Sequence, residues 1–228
     1  MSAPPSPQVP VAEHRSHRVS SGEAAALYIR GLIFEGRLRP GERVPQDDVA
    51  RALDISRIPI REALVALEQQ GWVTTEKNRG AFVAALDERG VHDHYELFGL
   101  IYGFAAQKSL ERSETAFGEK LAGLARDFAS APSAEAANDR SIAFHAAVVD
   151  AAASPRINVI LRCMSGLVPG NFYAVVPRAA ELQRPGFTAI ARAAKRQDGE
   201  RAAAEYSRMM RRVAGEVVVL FRERGLFV

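Results

Sequence analysis

The chain changes character near Leu86 and Asp87, and that change limits its fold more than any other feature. Before it, short segments are punctuated by Gly and Pro; after it, long Ala-rich stretches with helical period run on and nothing reads as a strand. Three regions are therefore expected: a disordered leader over 1–20, a small domain over 21–86 and an all-helical domain over 87–228. The leader carries Pro, Ser and scattered charge without the apolar stretch of a signal peptide. Apolar runs such as Val217 to Phe221 are too short to span a bilayer, so a cytoplasmic protein with no membrane partner is expected.

Charge gives little guidance. The 30 Lys and Arg against 27 Asp and Glu leave a net +3, and neither side of the break is a basic tail. One cysteine, Cys163, excludes an internal disulfide and a thiolate cluster for zinc. No G-x-S-x-G or phosphate-loop pattern is present, and no nucleophile stands beside a base, which argues against an enzyme.

In the first domain, Ala25, Ile29, Leu32 and Ile33 share one face of a helix over Gly22 to Glu35, with Gly36 placed to end it. Pro40 and Gly41 force a turn. A second helix fits Gln46 to Leu53, and Asp54-Ile55 is a brief turn. Ser56 stands as the N-cap of a third helix through Gln70, whose buried stripe is Ile60, Ala63, Leu64 and Leu67. Pro59 falls in its first turn, where a missing N–H costs nothing. Trp72–Thr75 and Ala81–Ala84 are β-prone runs around a tip of Lys77, Asn78, Arg79 and Gly80, with Gly80 supplying a positive φ. Three helices and a hairpin make a winged helix-turn-helix.

The expected fold is mainly α: this N-terminal module joined to an all-α antiparallel bundle of six or seven helices, about 88–111, 115–129, 135–152, 155–166, 168–175, 179–196 and 199–224. Breakers are read at Pro132, Pro155, Pro169-Gly170, Pro177, Pro185-Gly186 and Asp198-Gly199.

Arg57 and Arg61, four residues apart, share a face at the start of the third helix, opposite its apolar stripe. An arginine fork there matches guanine O6 and N7, while Lys77 and Arg79 reach for adjacent phosphates or the minor groove. Two solvated arginines and a basic turn are the plainer account of the same residues, but the helix spacing and the wing favour DNA.

The run Ile29 to Gly41, then Val49-Ala50, Ile55 to Leu64, Leu67-Glu68, Gly71 and Arg79-Gly80 resembles the winged helix of the GntR family of bacterial transcription regulators. The all-helical remainder resembles the FadR-type effector domain (FCD) of that family. The resemblance implies a homodimeric, operator-binding regulator, in the first instance a repressor, whose DNA affinity responds to a small metabolite. It places DNA contacts at Ser56, Arg57, Pro59, Arg61, Lys77, Asn78, Arg79 and Gly80. Asp47 stands where some members carry Arg, and an acidic residue there cannot bind phosphate.

Many such effector domains hold a divalent metal with an Asp and three His. Here Ser141-Ile142-Ala143-Phe144-His145 keeps only the Phe-His of the first motif, Phe187 replaces a second His, and Arg212 lies near the place of the last. With His145 alone matching, the resemblance implies no metal and no cofactor. By the same resemblance the effector pocket holds Phe98, Tyr102, His145, Phe187 and Arg212, an apolar lining with groups for an anion. His145 is expected on an inner face with Ala146, Val149 and Ala153. The aromatics equally suit a plain core. His92 and His94 read as a solvated helix start. Alternatives are a metal-assisted carboxylate sensor or a metabolite-processing enzyme with a vestigial DNA-binding head.

Overall fold

A computed structural model describes residues 20–164, 166–168 and 170–227. The leader lies outside these residues except for Ser20, which belongs instead to the first helix as its cap. Helix α1 (Ser21–Phe34) opens with a capping box in which Ser20 Oγ accepts from the Glu23 N–H and Glu23 accepts from the Ser20 N–H. Its buried face holds Ala25, Ile29, Leu32 and Ile33. Helix α2 (Gln46–Leu53) ends at Asp54 in the left-handed region, which turns the chain sharply into α3 (Arg57–Gln69). The stripe Ile60, Ala63, Leu64 and Leu67 packs inward as the spacing predicts.

Strands β1 (Val73–Glu76) and β2 (Gly80–Val83) pair antiparallel, Val73 opposite Val83 and Glu76 opposite Gly80. Each lies about one residue from the run read in the sequence. The segment after Gly41 also joins the wing. Val44 N–H donates to Ala81 O and Val83 N–H to Glu42 O, both at 2.8 Å, and Arg43 bridges Phe82. Pro40 and Gly41 mark that stretch as a turn; the pairing that follows needs the hairpin as its partner.

Seven helices follow among the described residues: α4 (Glu88–Arg112), α5 (Ala116–Ala129), α6 (Ala134–Ala151), α7 (Pro155–Cys163), α8 (Phe172–Val175), α9 (Ala179–Lys195) and α10 (Gly199–Glu223). Asp87 and Asp198 cap the two longest by accepting from the N–H of Gly90 and Arg201. Helices α4 and α10 run antiparallel at very short range. A Cβ on Gly99 would stand 2.9 Å from the Ser207 Cα, and one on Gly103 3.2 Å from that of Ala203. The missing side chains are what let the backbones meet. Helix α9 packs on both α5 and α10.

Three expectations are corrected. Pro185-Gly186 does not break α9, which runs through it; Phe187 and Ile190, fully buried just beyond, hold the helix against its neighbours more strongly than one lost backbone bond opposes it. Helices α7 and α8 are shorter than the periodicity suggested. His94 is no solvated residue of a helix start: its Nε2 is buried without a hydrogen-bond partner, and its ring packs 4.9 Å from that of Phe98.

The two parts of the chain touch at the ends of α1 and α10. Phe34 meets Phe221 edge to face at 5.8 Å, and the Arg224 guanidinium lies 4.1 Å over the Phe34 ring.

Candidate nucleic-acid interface and buried aromatic cluster

Ser56, Arg57 and Arg61 are exposed at the N-terminal end of α3, with Pro59 partly covered beside them. Ser56 occupies the N-cap position with extended backbone, but its side chain makes no capping hydrogen bond, contrary to expectation. Lys77, Asn78 and Arg79 are exposed at the hairpin tip; Asn78 (φ 64°) and Gly80 (φ 106°) both take left-handed backbone, so the turn needs two such residues and not Gly80 alone.

The charges on this face are not equivalent. Arg57 is tied to Asp47 of α2 at 2.6 Å, Arg51 to Asp48, and Arg79 to Glu76 while lying 5.4 Å from the Phe82 ring centroid. Arg61, Lys77 and Arg43 make no ion pair with a described residue. Arg43, just past the Pro40-Gly41 turn, was not singled out in the sequence. Its guanidinium lies along the wing, Nε 3.0 Å from where a Cβ on Gly80 would stand. Asp47, set aside because it repels phosphate, instead holds one of the two arginines of α3. A pair this exposed contributes only about 0–1 kcal/mol to stability, so its consequence is for orientation.

In the helical part, Tyr102, His145, Phe187 and Tyr206 come together. The His145 ring centroid lies 4.5 Å from Tyr102, 5.2 Å from Phe187 and 5.8 Å from Tyr206, whose hydroxyl is 3.4 Å from Nδ1. Phe98 stacks on Tyr102 at 6.0 Å, and Phe144 packs on Phe187 at 4.4 Å. These are contact distances, so the rings fill the space between the helices. Burial pushes the His145 imidazole down to about 4 from 6.5, and that of His94 likewise to about 4.

Arg212 does not join this cluster; it is exposed. It lies six residues beyond Tyr206, about a third of a turn away around the helix, and so off the buried face. Tyr206, fully buried, takes the inward place and was missed, although its spacing with Ala202, Met209 and Val213 marks a core stripe. The inner face of α6 is also different from that expected. Ser141, Phe144 and Val148 are buried, His145 is half-buried, and Ala146 and Ala153 are exposed. Among the described residues no three His, Cys, Asp or Glu side chains gather to hold a metal, and no helix is long and apolar enough to cross a membrane.

A winged helix with an exposed basic α3, carried on a helical bundle, defines a protein of the winged-helix DNA-binding class. Comparison places it more closely. Residues 22–83 match the profile of the bacterial regulatory proteins of the gntR family, so this part of the chain is similar to the DNA-binding region of that family. An HTH-type transcriptional regulator of Mycobacterium tuberculosis is 30% identical over 159 residues, covering 70% of this chain and 65% of that protein. The alignment thus spans just under two thirds of that relative's length. The Nta operon transcriptional regulator of Aminobacter aminovorans is 38% identical over 75 residues, 33% of this chain and 36% of that one.

Among solved structures, E. coli McbR/YncC superposes with a TM-score of 0.60 at 17% identity, covering 90% of this chain and 99% of that one. A GntR family member from Pseudomonas syringae pv. tomato gives 0.51 at 20% identity, covering 90% and 88%. At such identities the likeness is one of fold. The relatives that match by sequence are named as transcriptional regulators, none as an enzyme.

Proposed function

We propose that this protein is a sequence-specific, operator-binding transcription regulator, acting as a homodimer and responsive to a small metabolite. The observation that carries the reading is the N-terminal turn of α3, which presents exposed Ser56, Arg57 and Arg61 beside a wing bearing Arg43, Lys77 and Arg79. Arg57 and Arg61 supply base preference, and the wing and Arg43 supply phosphate contacts. The decisive experiment compares Arg61→Ala with wild type on operator and on random DNA at fixed salt. Specific binding should fall about 10-fold or more while non-specific binding changes little; an unchanged ratio removes Arg61 from base reading.

The dimer is supported by α4, where Leu97, Leu100 and Phe104 are exposed at positions i, i+3 and i+7, at 50%, 63% and 49%. An apolar stripe on the outside of a core helix is suited to a second copy of itself, and it would set two recognition helices against the half-sites of a palindrome. Sedimentation should give a dimer that Leu100→Glu shifts to monomer without loss of helicity.

The effector reading rests on the cluster around His145 with Phe98, Tyr102 and Phe187. Because these rings are packed against one another, an apolar or anionic effector entering there has to part them. Its binding then shifts the population of bundle conformations that set the spacing of the two DNA-binding heads. A thermal-shift screen of metabolites and acyl-CoAs tests this, since a ligand at 100 times its Kd adds about 2.7 kcal/mol. Regulation as a repressor and freedom from metal belong to the same proposal. Elemental analysis showing one Zn, Ni or Mn per chain overturns the second.

A further inference from the structure

Ile58 is the most exposed large apolar side chain among the described residues, at 68%, and it sits in the first turn of α3, next to Arg57 in sequence and one turn from Arg61. Nothing among the described residues covers it. The buried stripe of α3 starts at Ile60 and continues through Ala63, Leu64 and Leu67, so Ile58 points away from the core. It is remote in sequence from the apolar stripe of α4; its neighbours Ser56, Arg57 and Arg61 are polar and exposed, and Glu62, one turn on, lies against Gly22 of α1. A β-branched residue here gains nothing from helix propensity and leaves its side chain in water.

The surroundings specify the occupant. An apolar group flanked by two arginines and a hydroxyl, on the N-terminal turn of a recognition helix, meets a surface that is anionic at its edges and apolar at one point. The major groove offers one such point, the 5-methyl group of thymine, beside the N7 and O6 acceptors that suit arginine. The geometry points to Ile58 as the residue that reads a thymine methyl, next to the base pair read by Arg57. Val65, seven residues on and 56% exposed, lies on the same face about 10 Å further along the axis, at the edge of reach. The polar neighbours fix where the helix sits; Ile58 then discriminates T from C at one step of each half-site without a hydrogen bond.

This inference rests on the proposal that α3 reads operator DNA, and the test separates the two. Preferred sequences are selected from random duplex DNA with the full chain, and each thymine of the consensus is replaced in turn by uracil, which differs only by the methyl. Wild type should lose about 4-fold per half-site at one position, the fold-change of one buried carbon, and Ile58→Ala should bind the thymine and uracil duplexes equally there while keeping its preference for the neighbouring guanine. Equal wild-type binding to every uracil duplex, or a methyl effect that survives in Ile58→Ala, overturns the assignment of Ile58. If instead Arg57→Ala and Arg61→Ala leave the selected sequence unchanged, the reading of α3 as a recognition helix fails.

Discussion

The head and the bundle use aromatic and basic residues in opposite ways. In the head, the side chains with chemistry lie outside: Arg57, Arg61, Lys77 and Arg79 are in water, and the core beneath them is mostly aliphatic, with Phe34 and Trp72 its buried rings. In the bundle the cluster of rings is inside, with Phe144, Phe187 and Tyr206 fully buried and the histidine held neutral among them. The difference teaches where each part can be altered. A change in the head should act on recognition and leave stability nearly untouched, whereas a change in the cluster should act on stability and leave base preference untouched.

The largest expected effect tests the bundle side. Phe144→Ala removes a fully buried ring that packs on Phe187, and should cost about 3–5 kcal/mol in denaturant unfolding. The sequence preference of whatever remains folded should be unchanged; an altered preference would show that the two parts are not separable in this way.

Acid should act on the same side. Both His145 and His94 have a folded value near 4 against 6.5 unfolded. The unfolded chain therefore binds more protons in that window, and stability is full above 6.5 and falls as pH drops toward 4, by up to about 1.4 kcal/mol per pH unit for each histidine. Thermal melts from pH 7 to 4 should show this slope, and His145→Gln should roughly halve it. A slope unaffected by that substitution would mean that carboxylates carry the acid sensitivity.

On the head side, Asp47→Asn should flatten preference at the base pair proposed for Arg57 by a few-fold, because the 2.6 Å partner that orients the guanidinium is gone. Non-specific binding should rise slightly as a negative charge leaves the phosphate-facing surface. Tighter operator binding with preference intact would instead make Asp47 a mask over Arg57. The smallest effect belongs to the wing: Arg79→Ala should weaken binding to all sequences alike and lower the salt slope by about one. Unfolding free energies should change by less than about 1 kcal/mol in both variants.

Much of the head was legible because its signals are local. Pro59 and the apolar stripe place α3, Gly80 places the turn, and the four-residue spacing of Arg57 and Arg61 puts them on one face whatever lies beneath. Arg43 and Asp47 were not legible as members of the site. Each acquires its role from a residue distant in sequence, Arg43 from the wing it lies along and Asp47 from the arginine ten positions later. Ile58 reads in the sequence as one more apolar residue and becomes informative only through its exposure.

In the bundle the sequence determined most of the helices and the aromatic character around His145, while the caps at Asp87 and Asp198 came only from the structure. It did not determine which side chains face each other. Arg212 and Tyr206 are both on α10, and the close packing of α10 on α4 at Gly99 and Gly103 leaves Tyr206, on its core stripe, inward while Arg212 meets solvent. Pro185 is a breaker by its own chemistry, yet α9 runs through it because burial of Phe187 and Ile190 outweighs one absent hydrogen bond. Periodicity fixes a helix and a face relative to its own axis; the orientation of that face is a matter of packing between helices, and that free energy exists only once the chain is folded.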